Sequence, residues 1–299
     1  MTPRPIRFLH RSRTAEIAID TPAAATRTVL QWLREDAGCM GTKEGCNEGD
    51  CGACMVVIGS IDPQGMLKLE PINSCIRFVP SLDGRALFTV EDLAQAGMLH
   101  PVQQALVDAH GSQCGFCTPG FVMSMWALWE RHQTAGTVPT RQQVADDLSG
   151  NLCRCTGYRP IVDAALQMFE GSAADVPTKT TPTTPTTAKP TLTRAPVVAA
   201  LKALQSQPPL AIDGCFHAPR TLDELAALRA AKPAARLLAG STDIGLWVTK
   251  QTRDVGELIA VGEVAELQRI EVDADVVAVN GNAAAGADGD APQIRIGAA

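Results

Sequence analysis

The chain has 299 residues, 10 cysteines and a formal net charge of -6, so it is long enough for two or three domains with separate hydrophobic cores. Its 26 Lys and Arg against 32 Asp and Glu form no basic run, which argues against a nucleic-acid binder. Residues 1–13 scatter prolines and arginines and have no apolar core of a signal peptide. We therefore expect a cytoplasmic protein whose clustered cysteines bind metal.

The first part of the chain has the pattern of a small sheet with one helix. Apolar runs at 6–9 and 15–19 predict a β-hairpin, and Val29, Leu30 and Leu33 fall on one face of a predicted helix. Strands, one helix and a cysteine-rich loop within residues 1–92 predict a β-grasp ferredoxin-like domain. The helix is expected over 26–36, the later strands over 55–58, 67–69 and 86–90, and a turn over 62–65.

The cysteine-rich loop carries the strongest functional signal in the chain. Cys46, Cys51 and Cys54 have the spacing C-x4-C-x2-C, and Cys75 follows as a fourth thiol. This is the ligand pattern of plant-type 2Fe-2S ferredoxins. Glycines between the cysteines allow left-handed turns that direct backbone N–H groups toward an anionic cluster. A structural zinc site and a disulfide are the alternatives, but zinc ligands usually come as two C-x2-4-C pairs.

Residues 93–171 change to helical periodicity and predict a four-helix bundle. Pro101, Pro119 and Pro160 stand in predicted first turns, and Thr140 is a predicted N-cap. Glycines, cysteines and a proline interrupt the uncharged stretch 109–129, so it is too short to span a membrane and no membrane association is expected.

A second set of cysteines stands before two of these helices. Its spacing is C-x2-C followed at a distance by C-x-C, and a bundle that brings both helix starts together would gather the thiols where helix dipoles favour an anionic group. Taken alone, this set fits zinc as well as iron, and the neighbouring ferredoxin loop favours a second 2Fe-2S cluster. Cys39 and Cys215 are expected to be buried apolar side chains. The four predicted ligands are Cys114, Cys117, Cys153 and Cys155.

The composition shifts to Thr, Pro, Ala and Lys over 172–196, which predicts a semi-extended linker. A capping box at Thr221 and Glu224 then opens a predicted helix ending near 231. A strand at 236–239 runs into the turn 240–243, which either contacts a phosphate or is an ordinary turn. Because the sequence stops after the last predicted strand, residues 197–299 are expected to be the first part of a larger domain. The remaining strands are expected at 258–261, 270–272, 276–279 and 294–296.

The order of these motifs resembles that of the molybdenum hydroxylases. The segments 41–46, 49–54, 113–120 and 151–158 resemble the iron-sulfur half of that family, and 237–244 resembles its first FAD-contacting loop. Within the family, the combination is similar to the small subunit of bacterial xanthine dehydrogenases. The resemblance implies an α+β multidomain fold: the ferredoxin-like domain, the helical cluster domain and an incomplete FAD-binding domain.

The resemblance also implies a function and its cofactors. Electrons would pass from a molybdopterin cofactor on a large partner subunit through two 2Fe-2S clusters to FAD and NAD, while hypoxanthine or xanthine is oxidised. Gln113 would lie against the pterin of the partner, and no catalytic residue would lie on this chain. Alternatives are the same role in an aldehyde, carbon monoxide or N-heterocycle hydroxylase, or a stand-alone or truncated electron carrier. The implied FAD contacts are Leu237, Leu238, Ala239, Gly240, Ser241, Thr242, Asp243 and Ile244.

Overall fold

The computed structural model describes residues 4–170, 191–272 and 294–296. In chain order these residues form a mixed β-sheet, a helical bundle and a second small sheet with its helices. This arrangement confirms the predicted α+β multidomain fold.

The first unit is a five-stranded sheet with the strand order β2-β1-β5-β3-β4. β1 and β5 pair in parallel, and the other neighbours are antiparallel. The predicted hairpin, helix and three later strands are all present, which is the β-grasp arrangement expected for residues 1–92. The elements are β1 Ile6–His10, β2 Arg13–Ile17, α1 Pro22–Ala25, α2 Val29–Glu35, β3 Met55–Ile61, β4 Leu67–Asn73 and β5 Ala86–Phe88.

The helix of this unit begins later than predicted. Thr28 has extended backbone and caps α2, because its hydroxyl accepts from the Gln31 amide while the Gln31 side chain accepts from the Thr28 amide. Thr26, the predicted first residue of this helix, instead caps the C-terminus of the short helix α1. Val29, Leu30 and Leu33 are buried on one face, as the periodicity predicted.

The second unit contains the four predicted helices. His100 caps α3 through its ring nitrogen, and Thr140 caps α5 through its hydroxyl. The central helix α4 is buried along most of its length against β3, and its Trp126 ring lies 5.2 Å from that of Phe88. No described helix is long and apolar enough to cross a bilayer. The helices are α3 Pro101–Asp108, α4 Thr118–Ala135, α5 Arg141–Asp147 and α6 Arg159–Gln167.

The third unit contains a four-stranded sheet in the order β6-β7-β9-β8. A separate antiparallel pair is formed by β10 and β11. Thr221 caps α8 as predicted, although the Glu224 carboxylate accepts from the Arg220 amide rather than from that of Thr221. The predicted strand 276–279 lies outside the described residues. The elements are α7 Arg194–Gln205, β6 Leu210–Ile212, β7 Phe216–Ala218, α8 Leu222–Ala231, β8 Arg236–Leu238, α9 Ile244–Thr249, β9 Leu258–Ala260, β10 Ile270–Val272 and β11 Ile294–Ile296.

The predicted linker is wrong at its C-terminal end. The range 172–196 was expected to lack regular structure, but α7 begins at Arg194. The apolar side chains Leu201 and Leu204 of α7 are buried in one cluster with Leu67 and Ala86 of the first sheet, which stabilises a helix there despite the flanking composition.

The third unit packs directly on the ferredoxin-like domain through one continuous apolar cluster. This cluster excludes water from both units at once, so it stabilises their contact through the hydrophobic effect. Its members include Phe78, Val79 and Leu82 from the first unit and Leu210, Ile212, Phe216 and Leu238 from the third.

Candidate metal centres

The predicted ligands of the ferredoxin-like domain come together in the loop before β3. Cys54 and Cys75 are each only 1% exposed, whereas Cys46 and Cys51 are half-buried nearer the surface. The side chain of Ser74 donates to the Cys54 carbonyl over 2.6 Å and fixes the segment that brings Cys75 to the loop. The structure therefore gathers all the predicted thiols of this set.

The glycines of the loop leave room that a larger residue would fill. A Cβ on Gly45 would lie 2.7 Å from the Cys51 sulfur, which is closer than real Cβ contacts allow. Gly49 and Gly52 have left-handed φ angles of 84° and 70°, a backbone conformation that favours glycine. At Gly45 the loop thus leaves room beside a thiol, as a compact cluster requires, while Gly49 and Gly52 supply the turns of the loop.

The thiols of the first set are paired two by two. The Cys51 amide donates to the Cys46 sulfur over 3.4 Å, and the Cys54 and Cys75 thiols lie close enough for each to shift the pKa of the other. That second contact lowers the pKa of Cys54 to about 7 and raises the pKa of Cys75. Burial raises the pKa of Cys46, but hydrogen bonds from Cys51 and nearby backbone groups outweigh it and lower the pKa overall.

The second set of cysteines is also brought together, at the starts of α4 and α6. Cys114 and Cys155 are exposed and lie close together, and the proximity of Cys114 raises the pKa of Cys155. Cys117 and Cys153 form the inner pair, and burial together with the Cys153 contact raises the pKa of Cys117 to about 12. These contacts are the ones that the predicted meeting of two helix starts requires.

Two residues missed by the sequence reasoning support Cys153. The Thr156 hydroxyl donates to the Cys153 sulfur over 3.2 Å, which stabilises a thiolate. The Tyr158 hydroxyl accepts from the Cys153 amide over 3.0 Å, and Tyr158 itself has a left-handed φ of 67°. The signal for them was their place in the C-x-C-T-G-Y segment directly after the ligands.

The pairwise arrangement distinguishes a two-iron cluster from a single zinc ion. Four thiolates around one zinc at 2.3 Å lie about 3.8 Å from one another. Within the described residues, no three of these cysteine sulfurs lie within 4.8 Å of each other. A 2Fe-2S cluster instead takes two thiolates at each of its two irons. The donors of both sets therefore fit 2Fe-2S clusters, with the pairs Cys46–Cys51, Cys54–Cys75, Cys114–Cys155 and Cys117–Cys153.

A backbone hydrogen bond joins the two cysteine sets. The amide of Leu152, the residue before Cys153, donates to the carbonyl of Cys51 over 3.0 Å. Cys51, a predicted ligand of one set, is thus hydrogen-bonded to Leu152, the residue next to a predicted ligand of the other set.

Close packing around Gly52 supports this junction. A Cβ on Gly120 of α4 would lie 2.1 Å from the Gly52 carbonyl oxygen, so the two domains approach at backbone distance. The buried Asn151 side chain donates to the same carbonyl over 3.3 Å and accepts from the Ser124 hydroxyl over 2.7 Å. Sequence reasoning quoted Asn151 in a motif but gave no role to Ser124, which lies inside a helix without any distinguishing pattern.

The outer face of the second set is apolar and open to solvent. Gln113 and Cys114 are exposed, as their predicted contact with a partner cofactor requires. Phe116, Leu152 and Tyr158 beside them are 48%, 53% and 41% exposed. Exposed large apolar side chains grouped in one place are typical of an interaction surface.

The predicted FAD loop is less complete than the metal centres. Gly240 and Ser241 have left-handed φ angles of 74° and 73°, and the Arg77 guanidinium donates to the Gly240 carbonyl over 3.2 Å. Leu238 and Ser241 are buried, Ile244 is half-buried, and the other predicted contacts are exposed: Leu237, Ala239, Gly240, Thr242 and Asp243.

A cavity of about 50 Å³ lies beside this loop, between the first and third units. Ligand pockets usually measure about 300–1,000 Å³. The described residues therefore supply a loop against which FAD could bind, but the cavity directly beside that loop is smaller than FAD requires. The cavity is lined by Arg77, Arg85, Arg220, Leu238, Gly240 and Ser241 among others.

Comparison with known families agrees with this geometry. Residues 15–78 match the 2Fe-2S iron-sulfur cluster binding domain, and residues 89–166 match a second 2Fe-2S binding domain. Residues 210–285 match the FAD binding domain in molybdopterin dehydrogenase. The chain carries both iron-sulfur domains and part of the flavin domain of a molybdenum hydroxylase. The resemblance to this family is thereby confirmed at the level of its domains.

Several relatives of known name are similar to the chain. Xanthine dehydrogenase 1 of Arabidopsis thaliana is 32% identical over 301 residues, covering 83% of this chain and 21% of that protein. Aldehyde oxidase 1 of Rattus norvegicus is 47% identical over 138 residues, covering 46% of this chain and 10% of that protein. The solved quinoline 2-oxidoreductase of Pseudomonas putida 86 is 31% identical with a TM-score of 0.46, covering 54% of this chain and 90% of that chain. The chain thus spans about a fifth or less of the first two relatives.

Proposed function

We propose that this chain is the iron-sulfur and flavin subunit of a xanthine dehydrogenase of the bacterial type. In this role it takes electrons from a molybdopterin-bound molybdenum centre on a larger partner subunit and delivers them to FAD and NAD, while hypoxanthine and xanthine are oxidised to urate. The observation that carries the proposal is the hydrogen bond from the Leu152 amide to the Cys51 carbonyl, which places the two cysteine sets next to each other.

The residues of the chain have separate tasks in this proposal. The paired thiols of each set hold one 2Fe-2S cluster, and we call Cys46, Cys51, Cys54 and Cys75 the inner set and Cys114, Cys117, Cys153 and Cys155 the outer set. A Cβ on Gly45 would crowd the Cys51 sulfur, so this glycine leaves space for the inner cluster. When bound, each cluster exchanges one electron at a time, whereas FAD exchanges two. The flavin therefore converts single electrons from the clusters into the electron pair that hydride transfer to NAD requires. The turn at Gly240 and Ser241, held by Arg77, contacts the FAD.

The outer apolar face supports a molybdenum-binding partner. Phe116, Leu152 and Tyr158 are all more than 40% exposed around the exposed Cys114 and Gln113. Covering such side chains with a partner surface is favourable because it removes apolar area from water. The cysteine set nearest this face would be the entry point for electrons, and the inner set, packed beside the flavin part, would be the exit.

The longest alignments support xanthine as the substrate, since the xanthine dehydrogenases of Arabidopsis thaliana and Drosophila subobscura align over 83% and 84% of the chain. The rice xanthine dehydrogenase and the rat aldehyde oxidase both align over 46%, so the shorter alignments do not separate the two substrates. The aligned residues do not touch substrate in this proposal, since substrate would bind on the partner. An aldehyde or N-heterocycle hydroxylase is therefore the alternative that an experiment must separate.

The test is to produce the chain together with a molybdenum-binding large subunit of a xanthine dehydrogenase and to measure the redox groups of the complex. We expect about four irons and four sulfides per chain, bound FAD, and two distinct electron paramagnetic resonance signals. Under anaerobic conditions xanthine should reduce both clusters, so that both signals appear. Adding NAD should then reoxidise the clusters. Reduction by an aldehyde but not by xanthine would favour the alternative, and iron without flavin or a partner would favour a stand-alone electron carrier.

A further inference from the structure

Lys250 places a positive charge of the flavin part on the loop of the inner cysteine set. Its Nζ donates to the Cys46 carbonyl over 2.5 Å and lies 3.3 Å from the Glu48 carboxylate. Lys250 caps the C-terminus of α9, which belongs to the unit matched by the flavin family. The contact therefore crosses from the flavin part to a predicted cluster ligand.

The position of α9 is fixed by close packing on the ferredoxin-like domain. A Cβ on Gly245 would lie 2.7 Å from the Ile76 carbonyl, so the helix approaches the segment after Cys75 at backbone distance. The amide of Lys250 donates to the Leu246 carbonyl over 2.9 Å, which ties its backbone to the helix. The lysine is thus presented to the loop by a rigid element.

The charge environment of the loop makes this lysine important. The loop carries the acids Glu44, Glu48 and Asp50 and one base, Lys43, whose Nζ donates instead to the Met40 carbonyl over 2.6 Å. A group that gains an electron in this loop becomes more negative beside these acids. A nearby cation offsets that cost through its Coulomb interaction.

We propose that Lys250 raises the reduction potential of the cluster held by Cys46, Cys51, Cys54 and Cys75, so that this site accepts an electron more readily when the flavin part is docked. The inference rests on the proposed function, because it requires the cluster. Lys250 acts by its charge alone: one electron enters the cluster, supplied by dithionite in the test below, and the lysine exchanges none.

A purely structural role would give a different result from an electrostatic one. Lys250→Met removes both the hydrogen bond to the Cys46 carbonyl and the ion pair with Glu48, whereas Glu48→Gln breaks only the ion pair, so a structural latch would be weakened in the same direction by either change and more by the first. The electrostatic role predicts opposite shifts, because Lys250→Met removes a positive charge and Glu48→Gln removes a negative one. Lys250→Arg keeps the charge and should restore the potential.

The experiment is a redox titration of the full chain with dithionite, followed by electron paramagnetic resonance at both cluster signals. For Lys250→Met we expect about a tenfold change in the ratio of oxidised to reduced cluster at fixed potential, equivalent to about 59 mV for one electron, toward harder reduction. The signal from the outer cysteine set should not move. Lys202→Met, which removes an exposed positive charge on α7, is the matched control and should move neither signal.

The outcomes separate this inference from the proposed function. Absence of both signals in the unaltered chain would overturn both proposals together. Two signals with an unmoved potential in Lys250→Met, or shifts of the same sign in Lys250→Met and Glu48→Gln, would overturn only the role of Lys250. If Lys250→Met fails to bind the cluster, Lys250→Gln decides instead, since it removes the charge but keeps a hydrogen-bond donor that can reach the Cys46 carbonyl.

Discussion

The Leu152 amide donates to the Cys51 carbonyl over 3.0 Å across the boundary between the ferredoxin-like and helical domains. Cys51 is itself a member of one cysteine set, and Leu152 directly precedes Cys153 of the other. This hydrogen bond therefore links the two sets. The two domains must pack at backbone distance for the two cysteine sets to be neighbours. The packing of the domains and the proximity of the sets therefore depend on the same contacts.

The first prediction concerns the independence of the two metal centres. Cys51→Ser should remove the cluster of the inner set and leave the bundle folded, while Cys155→Ser should remove the cluster of the outer set, because the thiols pair only within their own sets. Electron paramagnetic resonance and iron analysis check this: each variant should lose one signal and about half of its iron. Loss of both signals from either single change would contradict separate sites.

The second prediction concerns the seam between the two iron-sulfur domains. Gly→Ala inside a helix normally stabilises by about 1 kcal/mol, but Gly120→Ala would place a Cβ 2.1 Å from the Gly52 carbonyl oxygen. We expect it to destabilise the chain by about 2–3 kcal/mol, since backbone must move apart. Urea denaturation measures the change in the free energy of unfolding.

Gly150→Ala is the matched control for the seam. A Cβ there would meet only the Met55 side chain, at an ordinary 3.8 Å. It should change the free energy of unfolding by less than about 0.5 kcal/mol. Equal effects of Gly120→Ala and Gly150→Ala would show that close approach at Gly52 is not what joins the domains.

The third prediction concerns the ion pair that fixes the start of α7. The Arg194 guanidinium donates to the Glu130 carboxylate over 2.7 Å, and the Glu130 side chain is 5% exposed. Arg194→Met leaves that carboxylate buried without its partner and should cost about 3 kcal/mol at neutral pH. The double variant Arg194→Met with Glu130→Gln should recover most of this loss, which thermal and urea unfolding can measure.

The pH dependence of this pair has a defined sign. Burial raises the pKa of Glu130, and the charge of Arg194 opposes that rise. Folding therefore favours the protonated carboxyl, so its contribution to stability is present at low pH and is lost as pH rises through the raised pKa. Arg194→Met should enlarge this loss, so the defect should be smaller in acid; an equal defect at acid and neutral pH would argue against an electrostatic cause.

The fourth prediction concerns the cap of α3. His100 is 2% exposed, burial lowers its pKa to about 4, and its Nδ1 accepts from the Val102 amide over 3.3 Å. Protonation would remove that acceptor. Because the folded pKa lies below the unfolded value of 6.5, stability should be complete above pH 6.5 and fall by up to about 3 kcal/mol toward pH 4.

His100→Asn tests this directly, because asparagine keeps an N-cap acceptor but does not titrate. The variant should lose most of the fall in unfolding free energy between pH 6.5 and 4. His110→Asn changes an exposed histidine at a left-handed φ of 53°, which asparagine tolerates, and should keep the full fall. An unchanged pH profile in His100→Asn would assign the acid sensitivity to other groups.

Local chemistry made much of the fold predictable from the sequence. The starts of α3, α5 and α8 were predicted because a proline or a capping threonine specifies a helix start within a few residues. The cysteine sets were predicted because iron-sulfur clusters bind cysteines at characteristic spacings along the chain. The candidate metal centres are therefore the part of the structure that the sequence predicted best.

Other features depend on partners distant in sequence and could not be predicted in the same way. β6 and β7 were not predicted, and their place in the sheet depends on pairing with distant residues, since Phe216 of β7 pairs with Leu258 of β9. The contact of Lys250 with Cys46 joins residues separated by 204 positions. No local pattern marks a lysine for such a contact, and only the packing of α9 reveals it.

The continuous apolar cluster between the first and third units has a consequence for how the polypeptide could be divided. Phe78 and Leu82 on one side contact the same buried cluster as Leu210 and Phe216 on the other, so the association depends on side chains rather than on chain continuity. A gene split within 172–190 should therefore yield two polypeptides that reassemble without a tether. Such a bipartite arrangement would allow the flavin-bearing piece to be exchanged or isotopically labelled separately from the iron-sulfur piece.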